Sequence, residues 1–198
     1  MNLWFRLLLF VITSRWRARL PPPFAVSRLK FRVWPTDLDT NFHMNNGRYL
    51  TVMDIGRLDL IVRSGLWRAV LKHRWMPVVS TASTRFRREL KLFEPFRLET
   101  RLRYWQDSVV VIEHRFRFVQ GNRKGAIAAT SLIKAGFYDR SAKEFVAVQR
   151  LLDELDVTDT SPPATPEIRA LLQMEDTIRS ADRADADRQA AGGPGVAA

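Results

Sequence analysis

The spacing of hydrophobic positions changes character several times along this chain, and each change predicts an element. Leu29 to Val33 alternates briefly, ends at Trp34 and Pro35, and reads as a short strand. Thr36 to Asn45 has no apolar period and is rich in Asp, Asn and Thr, so it reads as a loop. From Asn46 to about Leu66 the spacing becomes helical, with Tyr49, Met53, Gly56 and Leu60 on one face. Asn45 or Asn46 can cap that helix, because a carboxamide oxygen accepts from an orphan backbone N–H, and Gly65 stands where it would stop. A second short helical piece covers Trp67 to His73.

Beyond it the period becomes two. Pro77–Leu90, Phe96–Trp105, Val109–Gln120 and Gly125–Tyr138 are rich in β-branched and aromatic residues and read as long strands. Phe96, Leu98, Thr100, Leu102 and Tyr104 share one face, while Arg97, Glu99, Arg101 and Arg103 share the other, as in a sheet with one face packed and one wetter. The breaks between these strands are short, so neighbours are expected to pair antiparallel as a meander. One long helix can bury its apolar stripe only by lying across that sheet, which makes the fold class α+β. Lys143 to Leu155 is expected as a further helix, Thr160 to Pro166 as a linker, Glu167 to about Gln189 as helix, and Gly192 to Gly195 as a frayed end. The expected organisation is an apolar and basic segment over 1–23, one domain over 24–156, and a linker with an acidic helical tail over 157–198.

Met1 to Ile12 is apolar apart from Asn2 and Arg6, and Arg15, Arg17 and Arg19 follow it. Roughly 20 apolar residues are needed to span a bilayer, so this run is too short. A secretory signal would carry its charges before the apolar run, and here they come after it. Two readings remain. Residues 1–19 form an interfacial helix with Trp4, Phe5, Leu8 and Leu9 inward, placing the chain peripherally at an inner membrane surface, or they pack on their own domain or a dimer partner.

Composition narrows the chemistry. The 198 residues are 46% hydrophobic, enough for a real core and one domain of ordinary size. With no cysteine, disulfides, thiolate metal sites and a cysteine nucleophile are excluded, which is compatible with a cytoplasmic chain. Residues 151–198 hold 4 basic and 10 acidic groups against 28 and 11 in the rest, a basic body with an acidic tail. That asymmetry suits an anionic partner, although an arginine-rich composition alone explains it equally well. No zinc-finger spacing or RNA-recognition signature accompanies the charge, so nucleic acid is not expected as a partner. The three histidines do not cluster with acids at ligand spacing, so no metal or other cofactor is expected. No serine sits in a nucleophile elbow. Arg85, Arg87 and Arg88 could meet the phosphates of an anionic ligand, though strand arginines usually face water or pair with acids, and Asp54 with Arg57 reads as a surface pair.

The candidate chemistry lies in Asp37-Leu-Asp39-Thr-Asn41-Phe-His43-Met-Asn45-Asn46-Gly47-Arg48-Tyr49, directly ahead of the long helix. A helix amino terminus offers unpaired N–H groups and partial positive charge, where an oxyanion would be held. Asp39, Asn41 and His43 are two apart, so an extended loop would point them the same way, as a carboxylate, an amide and an imidazole able to activate water or attack directly. The structural alternative is a loop whose Asx side chains only cap the helix and their own backbone.

This stretch resembles the Asp-x-Asp-x-Asn-x-His-x-Asn-Asn-x-x-Tyr signature of hotdog-fold acyl thioesterases. It is similar to the 4-hydroxybenzoyl-CoA thioesterase-like group, in the branch related to thioesterase superfamily member six, and to plant acyl-carrier-protein thioesterases, over about Leu29 to Tyr138. The resemblance implies a hotdog fold, a curved antiparallel sheet wrapped around one long helix, in a homodimer or dimer of dimers with sites at the subunit interface. It implies Asp39 as nucleophile or general base, with Asn41 and His43 as its partners and Glu89 as a weaker match to a further acid on a strand. Asn46 and Gly47 would face the thioester carbonyl through their N–H groups. Tyr49 is a candidate substrate-binding residue, although its place on the helix face reads as core before ligand wall. Where many relatives carry glycine before the histidine, this chain has Phe42.

The first expectation is therefore hydrolysis of a fatty acyl thioester, from acyl-CoA in preference to an acyl carrier protein. The alternatives are a non-catalytic acyl-CoA or lipid-binding module at a membrane surface and, last, a basic nucleic-acid-binding protein.

Overall fold

The period-two stretches become strands β1 (Ser27–Arg32), β2 (Trp75–Phe86), β3 (Pro95–Gln106), β4 (Val109–Phe118) and β5 (Ile127–Asp139), antiparallel in the order β1-β3-β4-β5-β2. The computed structural model describes residues 10, 12, 13 and 17–191, and Trp4, Phe5, Leu8, Leu9 and Gly192 to Gly195 lie outside them. It divides into two units, Met1–Pro163 and Ala164–Ala198.

Strands β3, β4 and β5 form the expected meander, but β2 does not pair with β3. It pairs with β5, from Trp75↔Asp139 to Phe86↔Ala129. The reason lies in residues 87–94, which cross the end of the sheet instead of making a tight turn. The Arg87 and Arg88 N–H groups both reach the Ala128 carbonyl, Phe93 N–H donates to Val33 O at 2.9 Å, and Leu90 is fully buried. These anchors hold the two strand ends apart, and β2 becomes a sheet edge.

Helix α1 (Asn46–Ser64) starts at the Asn45 cap and stops at Gly65, whose φ of 92° suits a residue without Cβ. Its buried face carries Tyr49, Val52, Met53, Ile55 and Gly56. Tyr49 and Met53 meet Phe96, Phe116 and Ile133 of the sheet in the central core, each such side chain contributing about 1.5–3 kcal/mol by burial. Gly56 allows close approach: a Cβ there would come within 2.8 Å of Leu98 Cδ2 and would also meet Thr100 Oγ1. Helix α2 (Trp67–Lys72) follows.

The region expected as one helix over Lys143–Leu155 is a two-residue strand β6 (Glu144–Phe145) on β5, then helix α3 (Val148–Asp153). Phe145 packs edge-on against Tyr138 and Val146 N–H donates to Phe137 O, so the sheet takes the first residues before a helix can form. The division between units falls at Pro163, inside the expected linker. Residues 157–163 stay with the first unit, where Val157 is buried and Ser161 Oγ accepts from Trp105 N–H at 2.9 Å. Among the described residues the second unit holds one helix, α4 (Pro166–Ala191), with ion pairs Arg179–Glu175 and Arg188–Asp185.

The arginines of β3 and β4 are held by two carboxylates. Glu113 accepts from Arg101, Arg103 and Arg115 at 2.7–2.9 Å, and Glu99 pairs with Arg97 and Arg117. Burial alone would raise the Glu113 pKa, but the hydrogen bonds and charge of Arg101 and Arg115 bring it below the ordinary value.

Residues 17–25 lie across α1 as a strap. Leu20 N–H donates to Arg63 O, Arg63 Nε donates to Ala18 O, and Arg17 pairs with the fully buried Asp59 at 3.5 Å. Asp59 also accepts from Ser27 Oγ at 2.5 Å and Arg63 Nη1 at 3.0 Å. Just upstream, Phe10 is buried against Leu29 and Ile55. At that position the side chain packs on its own domain.

Candidate active site

Asp37 and Asp39, two residues apart, do different work. Asp37 is buried, accepts from Trp34 N–H at 2.9 Å and faces Arg48 at 3.8 Å, and its own carbonyl accepts from Asn45 N–H. It holds the loop in place. Asp39 stays partly open to solvent, with Oδ2 3.2 Å from His43 Nδ1 and Oδ1 accepting from Asn41 N–H at 2.9 Å.

The loop is not extended as the two-apart spacing implied. Asp39 N–H donates to His43 O and Phe42 N–H to Asp39 O, closing a tight turn. The turn brings Asp39 and His43 side chains together, while Asn41 meets the carboxylate through its backbone N–H. Phe42 has φ of 60°, the left-handed region that favours glycine, and its ring is 78% exposed. A glycine would adopt this conformation without the Cβ penalty that Phe42 carries.

Asn45 is the helix cap. Its Oδ1 accepts from Gly47 N–H at 2.8 Å and its carbonyl accepts from Arg48 N–H at 2.9 Å. The Gly47 N–H expected to face a substrate is thus engaged within the chain. Among the described residues no hydrogen bond engages Asn46 N–H, which leaves it as the donor at the helix tip. Tyr49 sits in the core, its ring against Phe86 and Phe116 with centroids 5.0 and 4.7 Å away. Burial first, and then the charges of Glu94 and Asp39, push its phenol up to about 12, so it remains protonated. Glu89 is exposed and pairs with Lys91 at 3.2 Å, while Lys91 forms a backbone bridge with His43. The structure therefore joins Asp39 with His43, sets Tyr49 behind them, and gives the Glu89 side chain a different partner.

Sequence reasoning missed a second polar group. Arg57 is not a surface residue: its side chain is 14% exposed, it pairs with Asp54, and Nη1 lies 3.5 Å from His114 Nε2. His114 is fully buried, with Nδ1 3.0 Å from Thr100 Oγ1. Burial and the Arg57 charge hold the imidazole well below its usual pKa, so it is neutral, accepting at Nε2 and donating from Nδ1 to Thr100. Asp54 and Arg57 stand at the wall of an apolar cavity of about 370 Å3 bounded by Leu58 and Ile61 of α1, Ile112 of β4, Leu151 of α3, and Leu20 and Pro22 of the strap. No residue of the Asp37–Tyr49 loop lines it.

A curled antiparallel sheet with one long helix against it, and an Asx-rich loop at that helix's amino terminus, define the hotdog class. Residues 33–172 match the model of the thioesterase-like superfamily, and the chain belongs to that family. Over 84 residues it is 43% identical to Protein THEM6 of Xenopus laevis, covering 42% of this chain and 41% of the relative. It is 23% identical over 112 residues to the probable thioesterase YBR096W of Saccharomyces cerevisiae, 56% of this chain and 48% of that one. The chain thus matches less than half the length of these curated relatives. The fold is shared with YbaW, a probable thioesterase from Escherichia coli, at TM-score 0.59 and 21% identity, covering 65% of this chain and 96% of that one. The DHNA-CoA thioesterase from Staphylococcus aureus matches at TM-score 0.58 and 14% identity, over 77% and 93%.

Proposed function

We propose that this protein hydrolyses a fatty acyl-CoA thioester, with Asp39 as the acting carboxylate. The supporting observation is the 3.2 Å contact between Asp39 and His43 Nδ1 one turn ahead of α1. With Nδ1 held by the carboxylate, the imidazole presents Nε2 to a substrate. Asp39 takes a proton from water as the hydroxide adds to the thioester carbonyl, or it adds directly and its acyl anhydride is then hydrolysed. The tetrahedral oxyanion gathers negative charge at the Asn46 N–H and the helix tip, then collapses to release thiolate, which takes up the proton held by Asp39 on the first route and one from solvent on the second. Tyr49, kept as a phenol, adds an uncharged wall beside Asp39. Glu89 enters as a further acid only if a substrate displaces Lys91.

Coenzyme A is preferred to a carrier protein because Arg85, Arg87, Arg88 and Lys91 follow one another along the strand end and crossing that lead to the loop. A homodimer completes the site: among the described residues β2 pairs only with β5 and ends the sheet, with Val79 and Phe86 exposed, so two copies can join their sheets there. The test is thiol release from a panel of acyl-CoA chain lengths by full-length protein. Turnover is expected, with Asp39→Asn slowing it at least about a hundredfold. Unchanged turnover in both Asp39→Asn and His43→Ala would sink the mechanism.

A second reading, a non-catalytic acyl-CoA or lipid binder at a membrane surface, is favoured by the Gly47 N–H being engaged in the cap. It requires tight ligand retention with no thiol released. Peripheral attachment through residues 1–19, on the cytoplasmic face of the inner membrane, belongs to either reading. Among the described residues no helix is long and apolar enough to cross a membrane. Cosedimentation with vesicles tests the attachment, and equal binding by a chain beginning at Phe24 removes it.

A further inference from the structure

We propose that the cavity between α1, the sheet and the strap is a second binding site, for the anion of a free long-chain fatty acid, with its carboxylate on Arg57 and its tail among the apolar walls. The site is separate from the loop at Asp39. Tyr49, Val52 and Met53, all fully buried, fill the helix face between the two, and no loop residue borders the cavity.

Three observations converge on this ligand. At about 370 Å3 the space lies in the range of small-molecule sites, and its walls are almost wholly hydrocarbon. Its polar side chains are Asp54, Arg57 and Ser64, and Ser64 Oγ already donates to Ile61 O. That leaves one ion pair to receive a head group, and its two members are unequal. Asp54 is 56% exposed and reaches only Nη2 of Arg57, whereas the Arg57 side chain is mostly withdrawn from solvent and its Nη1 has the long 3.5 Å contact to a neutral imidazole. Burial pulls the Arg57 pKa down even though Asp54 acts to raise it, so its charge is incompletely compensated. A partly buried, partly compensated guanidinium beside an apolar space gains from one further anion carried on an apolar body. A fatty carboxylate has both parts, and it is also the chemical class of product that thioester hydrolysis would release.

Full-length protein titrated with palmitate labelled at the carboxyl carbon should bind one equivalent, and the bound carboxylate should titrate below free palmitate in its carbon resonance. Arg57→Met should weaken binding on the order of tenfold or more, with Arg57→Lys between it and the parent. Hexadecanol should bind at least about tenfold more weakly than palmitate. Ala25→Trp, which fills the cavity from the strap and leaves Arg57 untouched, should abolish uptake with an unchanged unfolding midpoint. Asp39→Asn should bind palmitate like the parent whether or not it hydrolyses thioesters, which separates this site from the proposed catalytic one. Loss of palmitate in Asp39→Asn, undiminished affinity in a folded Arg57→Met, equal binding of the alcohol, or no saturable uptake would each overturn the proposal.

Discussion

Asp39 Oδ2 and His43 Nδ1 lie 3.2 Å apart across a turn in which Asp39 N–H also donates to His43 O. The geometry couples them, so their contributions to turnover should not add. Asp39→Asn and His43→Ala are each expected to cost about a hundredfold, and the double variant little more than the worse single one. Full multiplication of the two losses in steady-state kinetics would show that the residues act independently.

Phe42 occupies a left-handed conformation that costs a side-chain-bearing residue roughly 1–2 kcal/mol. Phe42→Gly should relieve most of it, less the backbone entropy that glycine brings to the unfolded chain. A net gain of about 0.5–1 kcal/mol in urea unfolding is expected, since the exposed ring contributes little burial. A loss of stability would mean that the ring packs on something that the free chain does not show.

His114 links stability to pH. Burial and Arg57 depress its pKa well below the usual 6.5, so the folded state stays neutral while the unfolded chain binds a proton. Stability is therefore fully present above about pH 6.5 and falls as pH drops below it, at up to about 1.4 kcal/mol per pH unit. Glu99 and Glu113, whose folded pKa values are lowered, add a separate loss that begins only near the ordinary carboxylate range. Urea midpoints between pH 7 and 5 should show the first slope, and His114→Gln should flatten it. A parallel slope in His114→Gln would assign the effect elsewhere.

Much of this arrangement was legible in the sequence. Alternation located the short strand β1 and the four long strands within a few residues, and the Asn45 and Gly65 punctuation gave both ends of α1. What stayed hidden depends on pairing across distance. Nothing local in Pro77–Phe86 says that its partner is β5, and a helical spacing of three made Asp54 and Arg57 look like a surface pair. Only the register Thr100↔His114 places an imidazole opposite Arg57 and turns its guanidinium inward, while Asp54 stays at the surface. In the loop, residue types announced the chemistry, but the turn brings in the Asn41 backbone where its carboxamide was expected.

The strap depends on Asp59, which serves Ser27, Arg63 and Arg17 while fully buried. Asp59→Ala would strand the Arg63 guanidinium and is expected to cost about 3 kcal/mol. Hydrogen exchange should rise first at Leu20, whose N–H is bonded to Arg63 O. Unaltered protection at Leu20 in a folded variant would show that apolar contacts alone hold the segment.

The pairing of β2 with β5 also sets an order of events during synthesis. Trp75 and its partner Asp139 are 64 positions apart, so β2 leaves the ribosome well before anything exists for it to join, whereas β3 and β4 can zip together at once. A released fragment ending at residue 126 is expected to hold that hairpin while Trp75–Phe86 remains open to protease, and the segment to close only in chains that include β5.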